Sequence, residues 1–180
     1  LNYTIGNPPF AGARQLKEKD QQKIDIKNVF SNVKKSGNLD YVSCWFKKAA
    51  EIMKGTAIRV ALVSTNSITQ GEQVSILWPE LLKNKIVIDF AYRTFRWDSE
   101  ANIKAHVHCV IIGFSCHNST EKRKLYTSEH MQLVDNINAY LIDAPSVFIE
   151  SKKKPLCDVP NLVFGSMPND NGFLSDYSQE

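Results

Sequence analysis

The 180-residue sequence has little of what marks several large classes of protein. It has no apolar run of 18 residues, no signal-peptide pattern and no lipidation motif, which argues against a helical membrane protein and makes a cytoplasmic location the expectation. Its four cysteines, Cys44, Cys109, Cys116 and Cys157, have no paired spacing, so no disulfide framework is expected and the thiols read as free. His106, His108 and Cys109 invite a metal reading, yet no C-x-x-C or H-x-x-x-H partner completes a tetrahedral set, and no metal is expected. None of the eight glycines forms a G-x-G pair, so the usual glycine-rich nucleotide loop is missing from this stretch. Charge of one sign is missing too: 22 basic against 19 acidic residues give +3 and a pI of about 8.6. That balance permits a polyanionic partner without demanding one.

What is present starts with an ordinary globular composition, 43% hydrophobic and 23% charged, in a length suited to one domain and the start of a second. A chain of this size buries roughly 70% of its unfolded surface. The stretch that organises it is Thr4-Ile5-Gly6-Asn7-Pro8-Pro9-Phe10, an apolar strand-like segment running straight into a stiff loop. The residue before a proline is pushed toward extended geometry, and Pro8 and Pro9 fix the next two φ angles. The Asn7 amide and the Pro8 carbonyl are therefore presented with little freedom to relax. Asn and Pro also favour ordinary turns. The four-residue string is nonetheless expected by chance in only roughly one chain in a thousand of this length.

Asn-Pro-Pro-Phe resembles the catalytic motif of amino-group methyltransferases that use S-adenosylmethionine, in the form usual among DNA adenine-N6 enzymes. The resemblance implies roles residue by residue. Asn7 and Pro8 would accept hydrogen bonds from the adenine amine, Phe10 would stack on the extruded base, and Pro9 would stiffen the loop. It also implies a cofactor loop upstream of this motif; the expectation is that the chain, opening at Leu1 inside a strand, is the later part of a larger protein, with a circularly permuted order or a catalytically dead relative as the alternatives.

Residues 11 to 37 are polar, with Ile24, Ile26, Val29, Phe30 and Val33 as the apolar anchors, and are read as a loop followed by a short helix. From Asp40 the pattern sharpens. Val42, Trp45, Phe46, Ala49 and Met53 recur at helical spacing, with Asn38 or Asp40 as cap and Gly55 as terminator. Arg59 to Ser64 is a short apolar run of the buried-strand type, ending in the polar tip Thr65-Asn66-Ser67. A second helix is expected from Gln70 to Lys83, kinked or split by Pro79. Strands are expected over Lys85 to Tyr92 and Ala105 to Phe114, joined by a linker, Arg93 to Lys104, that carries Phe95 and Trp97.

Alternating strands and helices that end in two close strands make the second half of a doubly wound α/β sheet with an antiparallel ending. Class I, Rossmann-like methyltransferases have that ending. The linker aromatics Phe95 and Trp97 are then candidates to stack on an extruded base, since base flipping must replace a few kcal/mol of lost stacking. Lysines cluster at Lys17, Lys19, Lys23 and Lys27, at Lys34 and Lys35, at Lys122 to Lys124, and at Lys152 to Lys154. Lys17, Lys19, Lys23, Lys152, Lys153 and Lys154 are the candidates for contacts with a DNA backbone.

From about His117 the sequence becomes loop-rich and Gly/Pro-punctuated. Ser64 to Ile68 with Gln70 to Gln73, Asn138 to Pro145, Lys154-Pro155-Leu156 and Phe164 to Pro168 together resemble the MmeI-like branch of DNA methyltransferases, over nearly the whole chain. By that resemblance residues 1–118 are the carboxyl-terminal part of a methyltransferase domain. Residues 119–180 would be a linker and the start of a target-recognition region. The expected function is methyl transfer from S-adenosylmethionine to a flipped adenine of double-stranded DNA, within a restriction-modification system, with the isolated segment inactive. Two alternatives stay open: related loops act on RNA bases or protein glutamines, and the fold also serves as a non-catalytic DNA-binding relic.

Overall fold

The structure is a computed structural model that describes residues 2–98, 106–116, 121–150, 152 and 157–159. The chain divides into a compact unit, Leu1–Glu150, and a second, Ser151–Glu180. In the second unit the described residues include exposed Cys157 and Val159, whose N–H donates to the Cys157 carbonyl at 3.0 Å.

The first unit is the expected α/β architecture. Six strands form one sheet: β1 (Tyr3–Gly6), β2 (Arg59–Thr65), β3 (Val87–Asp98), β4 (His106–Ser115), β5 (Arg123–Tyr126) and β6 (Met131–Val134), in the order β1-β2-β4-β3-β5-β6. β1 and β2 are parallel, β4 inserts antiparallel between β2 and β3, and β5 runs parallel to β3. β6 closes the row antiparallel to β5. The sheet thus continues past residue 118, where the sequence suggested a boundary.

Three helices, α1 (Gln21–Val29), α2 (Ser43–Met53) and α3 (Gly71–Leu82), cover the sheet. α1 and α2 lie in the crossover from β1 to β2 and α3 in the crossover from β2 to β3, whereas the parallel pair β3 and β5 is joined through β4. Along β2 the buried positions alternate at Val60, Leu62 and Ser64, while Ala61, Val63 and Thr65 are half-exposed. The buried face meets Phe46, Ala50 and Met53 of α2 and Leu77, Trp78 and Leu81 of α3 in one core. Phe46 stacks on Phe114 of β4 with ring centroids 5.5 Å apart, an aromatic pairing that adds to area burial. The Phe90 ring of β3 lies across Gly113 of β4, where an added Cβ would fall 2.0 Å from it.

Two expectations need correction. Of the kink or split expected at Pro79, the split does not occur, since α3 runs unbroken from Gly71 to Leu82. The donor that Pro79 removes would serve Ser75, on a half-exposed part of the helix. Nor are Phe95 and Trp97 on a linker. β3 runs on to Asp98 in register with β4, with Phe95 opposite Cys109 and Trp97 opposite Val107, after a shift between Tyr92 and Phe95. No helix among the described residues is long and apolar enough to cross a membrane.

Candidate active site

The loop that follows β1 leaves the carboxyl end of the strand beside β2, where Gly6 pairs with Leu62. A side chain at Gly6 would press its Cβ to 3.3 Å from Leu62 Cδ2, so glycine permits the close approach just before the motif. Pro8 is buried, whereas Asn7, Pro9 and Phe10 are exposed. The Asn7 amide has no hydrogen-bond partner among the described residues. The geometry is what a ligand-facing acceptor needs: a polar group held on a proline-stiffened backbone and not committed to the protein itself.

Beyond Phe10 the chain is pinned. Tyr41 N–H donates to the Ala11 carbonyl at 2.9 Å, and Ala13 N–H donates to Asp40 Oδ1 at 2.7 Å. The other carboxylate oxygen of Asp40 accepts from Ser67 Oγ and, at 3.5 Å, from Thr65 Oγ1, and those two hydroxyls are 2.6 Å apart. Asp40 N–H donates to Gln73 Oε1 at 3.1 Å. The polar tip of β2 thereby meets the segment after the motif through one carboxylate. The expected capping role of Asn38 or Asp40 is not observed. α2 begins after Val42 with no side-chain cap, and Asn38 Nδ2 instead donates to Glu72 Oε2 at 3.2 Å. Gly55 does follow the helix in the left-handed region, φ 71°, as its terminator role requires.

Beside this clasp lies a cleft of about 850 Å³, lined among others by Arg14, Lys23, Asn38, Asp40, Gln70 and Gln73. Tyr41, just before α2, ties that segment to α1 by donating to Asp25 Oδ2 at 2.8 Å. That hydrogen bond and burial push the phenol up to about 12, so it remains a donor through the neutral range.

The candidate lysines separate. Lys17 and Lys19 are exposed on the approach to α1, and Lys152 is exposed in the second unit. Lys23 is 7% exposed, and its ammonium donates to the Gly37 carbonyl at 2.5 Å, anchoring α1 to the turn Ser36–Asn38. Lys153 and Lys154 lie outside the described residues, as do the strings 154–156 and 164–168.

Phe95 and Trp97 stand at the same end of the sheet as Asn7. Thr65 pairs with Cys109, and Cys109 with Phe95, so the end of β2 and Phe95 share one row. Three strand spacings separate β1 from β3, about 14 Å. Tyr92 meets Phe95 edge-on at 5.3 Å, and Phe95 lies 6.2 Å from Trp97, which is 43% exposed. The aromatics form a continuous ladder with an exposed outer member. Asp40, whose place before an amphipathic run reads in the sequence as a cap, instead joins Ala13 to Ser67 and Thr65. Among the described residues no three His, Cys, Asp or Glu side chains gather as a metal site.

Residues 1–127 match the family described as the MmeI DNA-methyltransferase domain. DNA methyltransferase A of Bacillus subtilis (strain 168) is 45% identical over 172 residues, covering 96% of this chain and 19% of that protein. The type IIL restriction-modification enzyme MmeI, solved in complex with DNA, matches with a TM-score of 0.87 at 44% identity, over 95% of this chain and 23% of that one. The chain thus spans about a fifth of the length of the relatives it matches.

Proposed function

Because the chain belongs to the MmeI DNA-methyltransferase family, we propose that it carries the methyl-accepting side of a DNA adenine-N6 methyltransferase site in a restriction-modification protein. One observation carries this reading: Asn7, exposed and unpartnered among the described residues, stands on a rigid Pro-Pro loop at the carboxyl end of a parallel strand. The exocyclic nitrogen of adenine is a poor nucleophile because its lone pair is delocalised into the ring. Two acceptors, the Asn7 side-chain oxygen and the Pro8 carbonyl, draw its hydrogens and return the lone pair to nitrogen. No side chain with a shifted pKa is required, since orientation and fixed dipoles lower the barrier.

S-adenosylmethionine, when bound, supplies an electrophilic methyl on a sulfonium leaving group. The residues of this chain fit the acceptor side of that reaction, and no G-x-G loop of the donor side occurs in it. After the new N–C bond forms, the amine loses one proton to solvent. Phe10 holds the face of the flipped adenine, with Phe95 or Trp97 as a second aromatic surface. Lys17 and Lys19, exposed before α1, are the cations offered to the duplex backbone, with Lys23 bracing that segment from inside, and Lys152, Lys153 and Lys154 are further candidates from the sequence. In this reading the methyltransferase part runs to about residue 118 and the chain from 119 leads toward target recognition, β5 and β6 carrying the sheet across the junction. The protein acts on double-stranded DNA in the cytoplasm.

The test incubates the full-length protein and its Asn7→Ala variant with unmethylated duplex and labelled methyl donor, followed by nucleoside analysis. N6-methyladenine from the wild type, lost by orders of magnitude in the variant, is the expected result. Label on RNA or protein instead, or an undiminished variant, overturns the reading.

A further inference from the structure

We infer that Asp40 is a positioning residue for the acceptor loop, holding Ala11 to Ala13 against the tip of β2 so that Phe10 and Asn7 keep their direction. The inference rests on the reading of Asn7 to Phe10 as that loop. On the loop's carboxyl side two consecutive residues clamp it, Tyr41 through the Ala11 carbonyl and Asp40 through Ala13 N–H.

The chemistry at Asp40 suits a clamp. The residue is 7% exposed, and a buried carboxylate persists only where donors surround it. An ionised carboxylate is an acceptor on both oxygens, and here one oxygen takes a backbone N–H while the other faces the hydroxyls of Ser67 and Thr65. Ala13 and Ser67 each lie 27 residues from Asp40, on opposite sides in sequence. One side chain therefore joins the post-motif segment to the end of β2 through charge-assisted bonds, the stronger kind. Asparagine in its place would turn an N–H₂ toward one set of donors and break half of the arrangement.

The test uses the full-length protein in four forms: wild type, Asp40→Asn, Ser67→Ala and Asn7→Ala. It measures single-turnover methylation, DNA affinity, melting temperature and backbone amide exchange over residues 11 to 13. Asp40→Asn is expected to slow methylation by about 10- to 100-fold, the scale of a misplacement near 1 Å, with DNA affinity nearly unchanged. Exchange at 11 to 13 should accelerate in Asp40→Asn, and to a lesser degree in Ser67→Ala. Wild-type exchange or a wild-type rate in folded Asp40→Asn overturns the inference, as does a rate loss that only follows the unfolded fraction. Asn7→Ala separates the two readings. If it methylates normally, the acceptor-loop assignment fails, while exchange at 11 to 13 still decides whether Asp40 holds the segment.

Discussion

Asn7 and Asn138 are the same residue in similar company, each following a strand and each near prolines, and the fold uses them in opposite ways. Asn138 is 4% exposed and committed to its own loop. Its Oδ1 accepts from Tyr140 N–H at 2.9 Å and Ile142 N–H at 3.3 Å, and its Nδ2 donates to the Pro145 carbonyl at 3.3 Å. The amide replaces the backbone bonds that a tight loop lacks, and it holds Leu141 in the left-handed region, φ 55°, with its side chain in the core. Asn7 is exposed, with no partner among the described residues, and its rigidity comes from the prolines after it. The difference teaches that a ligand-facing amide is recognised by what it leaves unmade once its backbone has been fixed by other means.

The comparison breaks most visibly in activity. Asn7→Ala should lower methylation by roughly a thousand-fold, a loss of the size seen when one fixed polar group at a reacting centre is removed. The same change should leave melting almost where it was, within about 0.5 kcal/mol, because no internal bond is lost. Asn138→Ala should do the reverse. It leaves two N–H groups and a carbonyl without their partner, for a destabilisation of roughly 2–4 kcal/mol by denaturant titration. Its rate per folded molecule should be unchanged, and a large specific loss of rate would show that the two loops are coupled.

The aromatic surfaces sharpen the contrast at a smaller scale. Phe10→Ala and Trp97→Ala, both at exposed rings, should each weaken the flipped-base state by about 1–3 kcal/mol, read from 2-aminopurine emission at the target position. Phe95→Ala should also lower stability, because Phe95 packs between Tyr92 and Trp97. The smallest effect concerns a buried polar group that has found neither use. Ser43 Oγ is fully buried with no hydrogen-bond partner among the described residues, so Ser43→Ala should be neutral or stabilise by up to about 1 kcal/mol in a thermal melt. Loss of stability there would reveal a partner for the hydroxyl.

Much of this is legible in the sequence. Proline sterics around Asn7, helical spacing from Val42 to Met53 and the apolar run at Arg59 to Ser64 are local properties, and local properties survive folding unchanged. The lysine clusters were less informative. Lys17 and Lys23 look alike in sequence, but Lys23 lies on α1 and is buried against the Gly37 carbonyl, whereas Lys17 precedes the helix and is exposed. The boundaries of β3 misled in a similar way. Arg93, Thr94 and Arg96 break the apolar pattern, yet pairing with β4 carries the strand on to Asp98. Hydrogen bonds along an existing ladder outweigh a weak side-chain preference.

The sequence by itself determined the stiff Asn-Pro-Pro-Phe loop and the alternation of strand and helix that places it at the carboxyl end of a parallel strand, since both follow from backbone sterics and from the periods of helix and strand. Only the tertiary structure decided what Asp40, Lys23 and Asn138 are for. Their partners include residues from 2 to 27 positions away, and a side chain's type does not say which donor or acceptor the fold will bring to it. The proposed chemistry lies in a short string, and the restraint proposed to keep it aimed comes from the rest of the chain.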